Sequence, residues 1–199
     1  MILYISTGNK GKIGEFLLAA KQSNIPDLII ESLPGLEAIP PPEENGTTFE
    51  ENATAKAIYY SQFTTGYVIA DDSGLEVDVL GNAPGVRSAR YAGPQASDSE
   101  NNQLLLENLT GAKSRSARFV CVIAVARQGR LLCTAHGAVD GEILTEPAGF
   151  RGFGYDPLFF YAPLGKSFGE LSSSDKLTVS HRGNAIRELF RWVARRAAD

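Results

Sequence analysis

Cysteine, histidine, methionine and tryptophan are scarce: the chain of 199 residues has two Cys, two His, one Met and one Trp. Cys121 and Cys133 each lie inside an apolar run, which argues against a disulfide scaffold or a cysteine-based zinc site and favours a reducing compartment. His136 and His181 have no second ligand at zinc spacing. No apolar run approaches the roughly 20 residues of a membrane span, and Met1 to Ile5 leads straight into Ser6, Thr7 and Gly8 without the basic stretch and long apolar segment of an export signal. A soluble cytoplasmic protein with no membrane partner is expected. Neither sign of charge dominates either. With 19 Lys and Arg against 23 Asp and Glu, the formal charge of -4 is a poor footprint for tracking a nucleic-acid backbone, so no stable nucleic-acid partner is expected. A small anionic ligand stays open wherever cations cluster locally.

What is present is the composition of a globular chain. Hydrophobic residues at 43% and charged residues at 21% exclude a disordered low-complexity chain and a long charged coiled coil. Ile2 to Ile5 reads as a strand, ended by Ser6, Thr7, Gly8 and Asn9, after which Ile13, Phe16, Leu17 and Ala20 recur at helical spacing. Leu28 to Ile30 reads as a second short strand, and the prolines between Pro34 and Pro42 mark an exposed connection that leaves Glu43 and Glu44 accessible. Phe49, Ala53, Ala57 and Tyr60, with Glu50 and Glu51 early, predict a helix over 48–63. Tyr67 to Ala70 reads as a buried strand with Asp71, Asp72, Ser73 and Gly74 immediately beyond it, followed by a separate alternating strand from Leu75.

The stretch 81–97 is long for a loop, and is either a mobile lid or an ordered cover. Further along, a helix near 98–109 and two strands at 115–126 and 131–139 joined by Gln128-Gly129 read as helix and antiparallel hairpin. A specialised loop at 150–156 precedes a strand at 158–161, and the last helix runs over about 183–196. These elements give an α/β fold with mixed strand pairing.

Three clusters carry chemistry. Thr7, Gly8, Asn9, Lys10, Gly11 and Lys12 combine close backbone approach with hydroxyl, amide and amine donors just before a helix, which suits a phosphate, although the same residues also build ordinary surface turns. Asp71 and Asp72, with Glu43 and Glu44, offer hard oxygen ligands for magnesium and a base for water, or else cap a strand and face solvent. Lys176, His181 and Arg182 can reach phosphate oxygens or a base carbonyl, while Phe153 and Tyr155 can stack on a nucleobase or simply frame a glycine turn beside Asp156. Ser73 lacks a nucleophile elbow, and both cysteines fall in apolar strands, so a covalent serine or thiol mechanism is disfavoured.

Taken in order, TGNKGK at 7–12 followed by Glu15, TFEENATAKA at 48–57, IADDSGLEVDVLGNAPGVRSARYAG at 69–93, GFGYDPLFF at 152–160 and SHRGNAI at 180–186 resemble the inosine triphosphate pyrophosphatase family, which includes the dITP/XTP pyrophosphatases. The resemblance covers nearly the whole chain. It implies a long twisted mixed sheet with flanking helices, one domain over 1–199 with two lobes around a nucleotide cleft, and a homodimer. It also implies hydrolysis of non-standard purine nucleoside triphosphates (inosine, deoxyinosine and xanthosine) to monophosphate and pyrophosphate, with Mg2+ as cofactor.

Carried residue by residue, the resemblance puts the phosphate loop on Thr7 to Lys12, metal-associated carboxylates on Glu44 and Asp72, and the proton acceptor on Asp72. Nucleotide contacts fall on Ser73, Phe153, Gly154, Tyr155, Asp156, Lys176, His181 and Arg182, with Asn52 and Lys56 as contact or support residues. Gly14 and Arg151 depart from the family's usual Arg and Gly. The first removes a charge near the phosphate loop and the second bears on fine geometry.

Overall fold

A computed structural model describes residues 1–197. Seven strands form one mixed sheet in the order β2-β1-β3-β4-β5-β6-β7. The strands are β1 (Ile2–Ile5), β2 (Ile29–Ser32), β3 (Tyr67–Val77), β4 (Ser116–Arg127), β5 (Arg130–Ile143), β6 (Phe159–Tyr161) and β7 (Lys166–Ser167). Pairing is parallel among β2, β1 and β3 and antiparallel from β3 onward. The flanking helices are α1 (Lys10–Gln22), α2 (Phe49–Tyr60), α3 (Asp98–Asn108), α4 (Ser173–Val179) and α5 (His181–Ala197).

Local chemistry explains most of these boundaries. Asn9 caps α1 by accepting from the Lys12 N–H, while Thr48 and Glu51 close a reciprocal capping box on α2, as Ser97 and Glu100 do on α3. The β4–β5 hairpin turns on Gln128 and Gly129, both at positive φ, the backbone that a two-residue turn of this hand requires.

Two large apolar clusters sit at opposite ends of the long central strands. One gathers Leu3, Ile5, Phe16, Ile69, Ile123 and Val125 with Ile186 and Leu189 of α5. The other gathers Leu75, Val77, Leu105, Phe119, Leu158, Phe159 and Phe168. Asp71, Asp72 and Ser73 fall on β3 between its contributions to the two clusters.

The structure corrects the strand boundary on which the acids depend. Residues 67–77 form one continuous strand, and Asp71 and Asp72 lie within it, paired with Ile123 and Val122 of β4. The turn-like composition Asp-Asp-Ser-Gly is overridden because buried β4 supplies an unbroken ladder through it. The acids are accessible for a different reason: their strand continues while its other neighbour stops. β1 ends at Ile5, and the Ser6 N–H closes on the Ile69 carbonyl. Beyond that bond the β3 edge is uncovered until the Leu75 N–H meets Ser88 Oγ.

The stretch 81–97 is an ordered cover. Its 3-10 turn over Gly85–Arg90 packs on β3, and a Cβ at Gly74 would lie 2.4 Å from Ser88 Oγ and 2.5 Å from the Gly85 carbonyl oxygen, so only glycine allows this approach. The last helix starts two residues earlier than its apolar pattern implies, with Ser180 Oγ accepting from the Gly183 N–H, so His181 and Arg182 lie in its first turn. Neither α4 nor β7 is anticipated by the sequence reading, since seven polar-rich residues and a two-residue strand are too short for periodicity to register.

Candidate active site

Because successive side chains of a strand face opposite sides, the adjacent acids enter different environments. Asp71 faces α1 and α5. Its Oδ2 lies 3.0 Å from Lys12 Nζ and accepts from Arg182 Nη2 at 3.2 Å. Burial pushes its carboxyl pKa up, but Lys12, Arg182 and Lys56 outweigh burial and hold it well below the ordinary carboxylate range. Asp72 faces α2, where Asn52 Nδ2 donates to Oδ2 at 3.1 Å and Lys56 Nζ to Oδ1 at 3.1 Å. Here burial wins over Lys56 and Lys12, and the Asp72 pKa is raised. Of the two neighbours, Asp71 is a fixed anion and Asp72 the more basic carboxylate.

Lys56 joins Asp72 to the loop before α2. Its ammonium also donates to Glu44 Oε1 at 2.9 Å, while Glu44 Oε2 accepts from Arg90 Nη1 at 3.1 Å. Asn52 is 2% exposed and accepts the Gly46 N–H at 2.9 Å, so one amide side chain fixes both Asp72 and the chain that carries Glu44. Among the described residues, no group of three or more His, Cys, Asp and Glu converges as a metal cage. Glu44 and Asp72 nonetheless meet on one ammonium, and their carboxylate oxygens are of the hard kind that could hold a magnesium ion.

On the Asp71 side of the strand, Arg182 is 1% exposed and Lys176 is 4% exposed. Glu15 of α1 lies between them, 2.9 Å from Lys176 Nζ through Oε1 and bonded to Arg182 Nη1 through Oε2. Burial raises the Glu15 pKa and the two cations pull it down further, leaving it lowered. Arg182 Nη2 also donates to Ser73 Oγ at 2.7 Å, and Lys176 Nζ to Asp156 Oδ2. Asp156 in turn accepts the Phe153 N–H at 2.9 Å, which sets the loop that presents the Phe153 ring. Lys176 Nζ stands 4.6 Å from the centre of that ring.

The His181 ring stacks on Phe119 at 4.6 Å, and its Nδ1 is buried without a hydrogen-bond partner. Burial, with Arg182 and Lys176 beside it, drives its pKa well below 6.5, so the imidazole is neutral.

These groups surround a cavity of about 330 Å³. It is lined by Thr7, Gly8, Asn9 and Lys12 of the loop and first turn of α1, by Glu44, Lys56, Asp71, Asp72 and Ser73, and by Phe153, Gly154, Tyr155, Asp156, Lys176, His181 and Arg182. Several of the sequence-derived residues take other places. Lys10 is exposed and does not line the cavity. Gly11 lies against the Phe153 ring, where a Cβ would fall 2.4 Å from Cδ1. Asn52 stands behind Asp72, and the Tyr155 hydroxyl is spent on the Ser88 carbonyl at 2.8 Å.

Sequence reasoning gave no site role to Glu15 or Arg90. The Glu15–Arg182 pair spans 167 positions, which no local spacing reveals, and Arg90 sits in a stretch read only as lid or cover.

The model of the Ham1 family matches residues 3–192. A dITP/XTP pyrophosphatase of Syntrophobacter fumaroxidans is 47% identical over 208 residues, covering 100% of this chain and 87% of that protein. Another of the same name from Acidobacterium capsulatum is 47% identical over 199 residues, covering 96% and 97%. Among solved structures, a HAM1 protein from Coxiella burnetii superposes with a TM-score of 0.85 at 37% identity over 98% of this chain and 99% of that one. The Ham1 protein of Staphylococcus aureus gives 0.85 at 39% identity over 97% and 98%. In sequence over nearly its full length and in fold, the chain belongs to the Ham1 family.

Proposed function

We propose that the chain hydrolyses inosine, deoxyinosine and xanthosine triphosphates to the monophosphate and pyrophosphate, removing non-standard purines from the nucleotide pool. The observation that carries this reading is one cleft that brings the donor-rich loop before α1 and two acids together with an aromatic ring and buried cationic donors. Relatives named dITP/XTP pyrophosphatase support the substrate class.

In this reading the α1 N-terminus and Lys12 bind the triphosphate, because amide donors and a cation converge there on an anion. Asp72 accepts the proton of the attacking water, a task suited to a carboxylate whose basicity burial has raised. Water oxygen bonds to the α phosphorus as the bond to the α–β bridging oxygen breaks, and that oxygen departs with its electron pair on pyrophosphate. Glu44 and Asp72 would hold Mg2+, which when bound supplies charge neutralisation along the phosphates. Lys56 keeps the same two carboxylates together. Phe153 stacks on the purine, and donors of the Lys176 and His181–Arg182 segments meet a 6-keto oxygen. Adenine's 6-amino group would present hydrogens to those donors, and a buried donor left without a partner costs about 1–3 kcal/mol.

The test is product formation from inosine, deoxyinosine, xanthosine, adenosine and guanosine triphosphates with and without magnesium, separating pyrophosphate from orthophosphate. Magnesium-dependent release of pyrophosphate, preferring the first three, is expected; a folded protein that turns over none of the five ends this reading. The same reading takes the enzyme as a cytoplasmic homodimer, for which light scattering should return twice the 21.4 kDa of the chain. No helix among the described residues is long and apolar enough to cross a membrane.

A further inference from the structure

Five cationic side chains line the cleft: Lys12, Lys56, Arg90, Lys176 and Arg182. Four are tied inward. Lys12 sits on buried Asp71, Lys56 on Asp72 and Glu44, Lys176 on Glu15 and Asp156, and Arg182 on Glu15 and Asp71. Their side chains are 1 to 16% exposed. Arg90 is different. Its side chain is 35% exposed, and its one ion pair is with Glu44 Oε2, on a side chain itself 32% exposed. Among the described residues the rest of its guanidinium makes no hydrogen bond. A single half-exposed pair of this kind contributes little to stability and is readily exchanged for a more highly charged partner.

The backbone that carries Arg90 is, by contrast, held on several sides. Ser88 Oγ accepts from the Leu75 N–H and donates to the Gly85 carbonyl, and the Ser88 carbonyl accepts the Tyr155 hydroxyl. Asn101 Nδ2 donates to the Ala89 carbonyl at 3.2 Å, and its Oδ1 accepts the Ala92 N–H at 2.8 Å. A fixed base with an exchangeable head is the arrangement of a preorganised anion ligand. A planar guanidinium presents two parallel N–H donors in a fixed fork that matches a pair of phosphate oxygens, a geometry that the point charge of a lysine lacks.

We propose that on substrate binding Arg90 leaves Glu44 for the β- and γ-phosphates, aligns the tail and holds the pyrophosphate as it departs. The proposal rests on the triphosphate reading above. When the α phosphorus gains the water oxygen and loses the bridging oxygen, the electron pair of the broken bond stays on pyrophosphate, and Arg90 faces the charge that develops there. The same exchange frees an oxygen of Glu44, one of the two acids assigned to the metal.

The test is calorimetric binding of pyrophosphate and of inosine monophosphate to magnesium-free protein, for the wild type, Arg90→Gln and Arg90→Lys. Pyrophosphate should bind Arg90→Gln about tenfold or more weakly and Arg90→Lys to an intermediate degree, with the monophosphate within about twofold throughout. Should Arg90→Gln melt below the wild type, Arg90→Lys carries the comparison. A wild type that hydrolyses inosine triphosphate, with pyrophosphate affinity unchanged in the folded variant, overturns the Arg90 assignment alone. A wild type with neither turnover nor pyrophosphate affinity overturns it together with the reading beneath it.

Discussion

Replacing Asp72 by Asn keeps the shape of the side chain and one oxygen to accept from Lys56 or Asn52, while removing the group that takes a proton from water. Turnover of inosine triphosphate should fall about 10²–10⁴-fold, with the melting temperature held, as steady-state kinetics and a thermal melt of D72N would establish. Near-normal turnover would move the base elsewhere. Glu15 makes a contrasting case, because it touches two buried cations. Glu15→Ala leaves Lys176 and Arg182 short of counter-charge at 5% and 1% side-chain exposure. Removing one partner from buried pairs of this kind costs about 3–5 kcal/mol, so urea unfolding should show a loss of that order, and a loss below about 1 kcal/mol would mean that Asp71 and Asp156 suffice. The acids themselves were legible as a pair in sequence, since Asp-Asp directly after a buried apolar run is where an α/β fold exposes ligand-binding groups. Their division of labour was not, because it follows from strand alternation at two positions that composition placed in a loop. Glu15 had no readable role for a similar reason: its partners arrive from the far end of the chain.

Two glycines test the elements in opposite directions. Gly14 lies inside α1, where an added Cβ meets nothing within 4 Å. Gly14→Ala should therefore stabilise the protein by about 0.5–1 kcal/mol through the lower backbone entropy of the unfolded chain, measurable as a rise in the urea midpoint at constant slope. Gly137 of β5 lies under the start of α5, and its Cβ would fall 2.1 Å from the His181 carbonyl oxygen and 2.4 Å from the Ala185 nitrogen. Gly137→Ala has to lift the turn that holds His181 and Arg182. It should cost about 1–3 kcal/mol and raise the KM for inosine triphosphate, while a variant with unchanged stability and KM would show that α5 tolerates displacement. Helices with caps and long apolar faces were readable from sequence, as was the β4–β5 hairpin from Gln128-Gly129. The continuity of β3 was not, because its ladder to β4 is a long-range property that local turn chemistry contradicts.

At the scale of the whole molecule, the cleft lies where β3 and β4 pass from one apolar cluster to the other and β1 falls away, so rigid sheet underlies the polar groups. Mixed pairing was legible from the hairpin and the early strand–helix–strand order, whereas the seam between clusters depends on side chains that meet only after folding. That seam is charge-dense, and its burial makes stability depend on pH. His181 is neutral when folded because burial and the neighbouring cations drive its pKa well below 6.5, while in the unfolded chain it protonates near that value. Below pH 6.5 the unfolded state thus binds a proton that the folded state refuses, and stability falls with pH by at most about 1.4 kcal/mol per unit. Glu15 and Asp71, with lowered folded values, lose their contribution only at more acid pH, as pH falls from their ordinary 4.5 and 3.8 towards those values. Asp72 and Asp156 have raised values and act in the opposite sense, since the folded state there retains protons that the unfolded chain releases. Between pH 6.5 and 5.5 the acid-side loss accordingly belongs to His181. His181→Asn should flatten the dependence of unfolding free energy on pH across that window, whatever it does to stability at pH 7.5. Parallel curves for the two proteins would place the protonation at another residue.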